Sequence, residues 1–230
     1  MKVKKRLQDK HAQVHLALFV MMMVWGINLS AVKFLTGHLD ILFVASIRML
    51  IAAVVLAGMA VHWRHVVISW ERREWALLLF AAFFLVYCQQ IAFAAGLART
   101  SATNASLVMT LGPAVSLAME AVTFGRKILA KQLWGIGLSL VGVVFVVLNR
   151  PHAELTSAAL GDLLILLSVF TFAMGGLCIQ RLTKNSSPLS VSLIVHLAGA
   201  LMLCVHTTLL LENPIDVAFN LPPMDWAMVV

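Results

Sequence analysis

Three ionisable side chains sit inside apolar stretches: Lys33 in SAVKFL, Arg48 in ASIRMLIAA and Glu120 in SLAMEAV. An ionised group in a hydrocarbon layer costs about 3 kcal/mol or more unless paired or hydrated, so each points to a path, a partner or an interface. Arg48 stands about seven residues into its segment, roughly 10 Å at the helical rise. A cation lining a path there would hold a carboxylate or similar anion; the plainer alternative is that it snorkels toward the headgroups or toward Asp40. Lys33 has the same two readings, with snorkelling easier because it lies near a segment end. Glu120 reads either as a proton-coupling carboxylate or, more simply, as a partner of Arg126 and Lys127 at the interface. Tyr87 and Gln90 share a helical face with Phe83 and Ala94, where they either orient a small solute or tie helices together. Ser106, Met109, Pro113, Ser116 and Glu120 form one stripe at helical spacing, bordered by Thr110, and such a stripe must face protein or water. Pro113 cannot donate to the carbonyl of Met109 and Gly112 loosens the helix beside it, so a kink with a freed carbonyl is expected.

These groups are positioned by a series of apolar segments. Hydrophobic residues make up 61% of the 230-residue chain and charged residues 12%, against about half and a quarter in soluble proteins. The sequence therefore predicts an all-α integral membrane protein, and the formal charge of +7 reflects membrane orientation rather than nucleic-acid binding. Segments 14–36, 41–63, 75–97, 101–124, 132–148, 161–182 and 189–211 suffice as seven spans. An eighth begins at Trp226. The basic start MKVKKRLQDKHAQ leads into an apolar run too long for a signal-peptide core, so an uncleaved first helix is expected. Gly135, Gly137, Ser139 and Gly142 are small residues of the kind that lets helices pack closely. Ser101 and Asn104 suit the start of a helix, as does Asp162. Cys88, Cys178 and Cys204 read as small core residues, and His196 and His206, ten positions apart, as structural histidines without metal-ligand spacing. No metal or cofactor is expected.

With the N-terminus cytoplasmic, thirteen of the seventeen Lys and Arg residues fall in inside segments, which predicts that orientation. The chain also repeats itself. Trp25-Gly26 with Lys33 matches Phe172-Ala173 with Gln180, and Glu74-Trp75-Ala76 matches Asp225-Trp226-Ala227. Five spans separate the two starts, so the second copy enters from the opposite side, giving an inverted-topology repeat of the kind transporters use. The expected division is 1–150 for the first repeat and 151–230 for a partial second one, which makes the sequence look truncated by three helices. No nucleotide-binding loop Gly-x-x-x-x-Gly-Lys-Ser/Thr occurs, so transport would be driven by gradients. A membrane-embedded enzyme is the competing class, but the chain lacks both a Gly-x-Ser-x-Gly elbow and a His-Glu-x-x-His helix. A non-transporting fragment or assembly partner is the third reading.

WGINLSAVK, ASIRMLIAA, AGLARTSATNASLVMTLGPAVSLAMEAV and KQLWGIGLSLVGVVFVVL, in that order and spacing, resemble the EamA-type branch of the drug/metabolite transporter superfamily. The resemblance covers residues 14 to about 211, more strongly in the first half. It implies a ten-helix carrier of two inverted five-helix repeats in a bacterial inner membrane, exporting amino acids, other metabolites or drugs, with the fifth and tenth helices peripheral. It carries over Trp25, Asn28, Lys33 and Arg48 as positions matching recurrent family residues. The implied partners are a small-molecule substrate and the lipid bilayer, with a homodimer left open. One departure is that the family's Gly-Glu pair after the fourth helix is Gly125-Arg126 here.

Overall fold

A computed structural model describes the backbone of residues 2–63, 70–125, 127–148 and 157–229, and the side chains of these from residue 14 onward except 63, 143, 144, 146–148, 157 and 158. Arg64, Arg126 and Arg150 lie outside the described residues, and with Arg126 goes one of the two partners expected for Glu120. Runs of Leu, Val, Ala, Phe and Met satisfy their backbone groups internally by forming helices, as a bilayer demands. In order these are α1 (Lys2–Leu35), α2 (Ile41–Trp63), α3 (Arg72–Arg99), α4 (Ala102–Met109), α5 (Gly112–Phe124), α6 (Ala130–Leu148), α7 (Ser157–Leu182), α8 (Pro188–Leu210), α9 (Pro214–Phe219) and α10 (Pro223–Val229). Among the described residues six stretches are long and apolar enough to cross a membrane: those of α1, α2, α3, α4 with α5, α7 and α8. The expected fifth span is the helix α6, and the expected eighth begins as α10.

The tightly packed centre is α2 against α8 and α3 against α7. One core cluster joins all four through Ala45, Leu78, Val86, Leu182, Val191 and Leu203; a second joins α1, α3, α4 and α7 through Val32, Phe93, Leu97, Val108 and Ile165. A third, smaller cluster sets Leu35 and Val44 against Val229 of α10. Where α2 crosses α8, the Ser46 hydroxyl donates to the carbonyl of Leu42 at 2.7 Å and accepts from the Thr207 hydroxyl, whose oxygen also lies 3.2 Å from that carbonyl.

Two helices depart from regular α geometry. In α3, residues Ala82–Cys88 form a π-helical segment. It is held between two glycines: a Cβ on Gly175 of α7 would lie 2.5 Å from Leu85 Cβ, and one on Gly199 of α8 would lie 2.3 Å from Val86 Cβ. The fourth span breaks at Thr110 and Leu111. There the amides of Thr110 and Leu111 bond the carbonyls of Leu107 and Val108, at 3.1 Å each, and Pro113 opens α5. That is the expected kink.

Two expectations are corrected. Gly135, Gly137 and Gly142 do not pack: nothing described lies within 4 Å of a Cβ on any of them, because α6 is exposed along most of its length. Asp162 is not a cap, because α7 starts five residues earlier, at Ser157. Its buried carboxylate instead accepts from the Thr100 hydroxyl at 2.7 Å, joining the end of α3 to α7. The segment ENPIDVAFN contains the short helix α9. Ser101 caps α4 as expected, its hydroxyl accepting from the Asn104 amide at 3.1 Å.

Candidate substrate pathway

Lys33 ends on the third span. Its ammonium donates to the carbonyls of Leu97 and Ala98, at 2.6 and 3.2 Å. These belong to the last turn of α3, whose carbonyls lack partners within the helix and carry the negative end of its dipole, a favourable seat for a cation. Lys33 is thus bonded to protein backbone in this structure.

Arg48 differs. Its Nε is buried and has no hydrogen-bond partner among the described residues. On α2 it falls between two packed stripes: Val44, Ile47 and Ile51 turn toward α1 and α10, and Ala45 and Met49 toward the α3–α8 core. An unpartnered guanidinium nitrogen is costly inside a membrane protein and is retained where a ligand or water completes it. The structure therefore keeps the two cations apart, one bonded to protein and the other with unused donor capacity.

Tyr87, in the π-helical segment, meets a residue that the spacing did not pair with it. Its hydroxyl lies 2.8 Å from Nδ1 of His206 on α8, with ring centroids 5.7 Å apart, and its other face stacks on Phe83 at 5.5 Å. These three side chains line an open cleft of about 530 Å³ whose remaining walls are Leu201, Met202, Val205 and Leu209. The face shared by Phe83 and Tyr87 is as expected; Gln90 is half-buried nearby in sequence but is not in that lining. The signal for His206 in the sequence was its position, an ionisable ring within an apolar span.

Glu120 faces α7, where Gln180 Nε2 donates to its Oε1 at 3.5 Å. Close by, the Arg181 guanidinium lies 5.0 Å over the ring of Phe124. Thr110 is exposed, its hydroxyl donating to the Leu107 carbonyl at 2.6 Å, and Pro113 is exposed beside it. Asn28 is half-buried and Trp25 is 43% exposed. A second cleft of about 440 Å³, almost wholly apolar, runs between α5, α6 and α7 past Ala114, Ala118, Val122, Ile136 and Phe170. It lies on the face of α5 away from Pro113, Ser116 and Glu120. Neither cleft is lined by Lys33, Arg48 or Glu120. Among the described residues no group of three or more His, Cys, Asp or Glu could hold a metal.

Two further contacts reach across the sequence at opposite ends of the bundle. At one end Trp70, just before α3, donates its indole N–H to the Ser186 hydroxyl after α7, at 2.9 Å. At the other, His38 after α1 meets the buried carboxylate of Asp225 on α10 at 3.0 Å.

Residues 13–148 match the EamA-like transporter family. Over 222 residues the chain is 22% identical to the uncharacterized transporter YyaM of Bacillus subtilis strain 168, covering 96% of this chain and 72% of that protein. It is 28% identical over 221 residues to a probable amino-acid metabolite efflux pump of Salmonella typhimurium, covering 94% and 70%. A probable amino-acid metabolite efflux pump of Escherichia coli K12 is 29% identical over 185 residues, covering 78% and 58%.

Proposed function

This chain belongs to the EamA-like transporter family and is a multi-pass membrane transporter of a small molecule, and on that premise we propose that it is a secondary carrier exporting an amino-acid-like metabolite by alternating access. The family and the names of the relatives point to transport rather than catalysis. The observation that carries the reading is the pair of contacts at opposite ends of the bundle. With the chain divided into the two proposed repeats, Trp70–Ser186 and His38–Asp225 join corresponding segments, Asp225 standing where Glu74 does, four residues after Trp70. Each joins the exit of a first helix of one repeat to the entrance of a third helix of the other. Closing one while opening the other exposes a site between the repeats first to one side and then to the other.

Arg48 is the substrate anchor in this proposal. Its unpartnered Nε suits a carboxylate, which accepts from a guanidinium by charge-assisted hydrogen bonds. Trp25, Asn28, Tyr87, Gln90, Thr110, Pro113 and Glu120 border the path, with Lys33 holding its wall. The division into repeats at 1–150 and 151–230, a cytoplasmic N-terminus and a bacterial inner-membrane location complete the proposal.

The test is export of a panel of labelled amino acids from cells and from proteoliposomes. Arg48→Gln is expected to lower the rate at least tenfold at equal membrane abundance; an unchanged rate removes Arg48 from the path. His38→Cys with Asp225→Cys, in a background without Cys88, Cys178 and Cys204, should stop transport when oxidised and restore it when reduced. Full transport through the crosslinked protein would refute alternation at that end.

A further inference from the structure

We infer that Tyr87 and His206 form a proton-binding switch between the third and seventh spans. Its place in coupling rests on the carrier reading above; its proton chemistry does not. An imidazole is the side chain whose ordinary charge change falls between about pH 5 and 8, and an ionisable group within a span marks a functional site by default. His206 Nδ1 is 2.8 Å from the Tyr87 hydroxyl, and both rings border an open cleft of about 530 Å³.

A neutral His206 with its hydrogen on Nε2 accepts from the Tyr87 hydroxyl at Nδ1. Protonation places a hydrogen on Nδ1, which must then donate to the same oxygen, because the tyrosine ring is held by its stack on Phe83. The hydroxyl changes from donor to acceptor and its own hydrogen turns away from His206. One proton leaves a hydronium ion in the water of one compartment and binds Nδ1; release to water on the other side restores the first state, with no other bond made or broken. Tyr87 lies in the π-helical segment whose Leu85 and Val86 are seated on Gly175 and Gly199, so the reversal acts at the place where α3 is keyed to both neighbouring helices.

Among the described residues Tyr87 and His206 are the only titratable ones lining the cleft. Cys178 of α7 packs against the same core cluster as Tyr87. Cys88 adjoins Tyr87 on α3, and Cys204 and His196 share α8 with His206; His196 has its own Nδ1 on the Ser192 carbonyl at 2.8 Å. On α2, Ser46 faces α8, and Arg48 stands about 160° around the helix from it. Glu212 is exposed beyond the end of α8.

Tyr87 is the only tyrosine in the chain, so ultraviolet resonance Raman difference spectra against ring-deuterated tyrosine isolate its Fermi doublet, which distinguishes a phenol that donates from one that accepts. The full chain in lipid nanodiscs is expected to shift from donor to acceptor in one step on acidification. His206→Gln and His206→Asn should abolish the step, and His196→Gln should keep it. A flat doublet in the wild-type protein, or a step that survives either His206 change or vanishes in His196→Gln, overturns the proposal. Export of labelled amino acids driven by a pH gradient should fall at least tenfold in His206→Gln; equal gradient dependence overturns the coupling role. A Raman step in a wild-type protein that exports nothing on the panel counts against the carrier reading while upholding the proton site.

Discussion

The third and fourth spans both depart from regular helix, and they do so for opposite reasons. In α3 the π-helical segment lies in a stretch of which 39% is buried; across α4 and α5 the buried share is 11%. The first irregularity is imposed from outside, by helices whose glycines admit Leu85 and Val86 to distances no Cβ tolerates. The second is imposed from within, by a proline that has no amide hydrogen to give. An irregularity held by packing can be reset by its neighbours, whereas one fixed covalently persists wherever the helix goes.

The contrast is broken most forcefully at the glycines. Gly175→Ala and Gly199→Ala are each expected to cost about 1–3 kcal/mol by overpacking, measured by reversible unfolding in bicelles, whereas neighbouring Gly176→Ala, with nothing within 4 Å of its Cβ, should be neutral or stabilising by up to about 1 kcal/mol. If all three behave alike, packing does not hold the π-helical segment. Adding Val86→Ala to Gly199→Ala sharpens the point, since their effects should be strongly non-additive, with recovery of more than about 0.5 kcal/mol. Pro113→Ala should change stability less, within about 1 kcal/mol, because few contacts depend on the bend and the restored amide gains a bond worth about that much. Its signature should be a protected new amide at residue 113, which proline lacks, and slowed hydrogen exchange at residue 114; an unprotected amide at 113 with unchanged exchange at 114 would mean that the break has another cause. The smallest effect is expected from Ser46→Ala, about 0.6 kcal/mol for one hydrogen bond between spans.

The same contrast explains what could be read from the residues alone. Span positions, the helical character and the break at Pro113 follow from apolar runs and from the chemistry of one ring, and all three are legible locally. The π-helical segment is not, because AAFFLVYC contains nothing that forbids an ordinary helix; the cause lies in Gly175 and Gly199, about a hundred residues away. For the same reason the glycines of α6 looked like packing positions although no described residue packs on them, while Gly175 and Gly199 stood in unremarkable surroundings. Among the site residues, position within a span singled out Lys33, Arg48 and Tyr87. What distinguishes them, carbonyl partners for Lys33, none for Arg48 Nε and His206 for Tyr87, depends on helices that come together only in the folded chain.

The contact between His38 and Asp225 joins residues 187 positions apart. A ribosome adding about 5–20 residues per second needs roughly 10 to 40 s to make the second after the first. Lys33, by contrast, waits only 64 residues for the carbonyl of Leu97, roughly 3 to 13 s at the same pace. The first helix is therefore fastened to the third early in synthesis and to α10 late. During that interval the bundle has one end secured and the other open, and a chaperone or protease would meet the His38 end in its unlatched form.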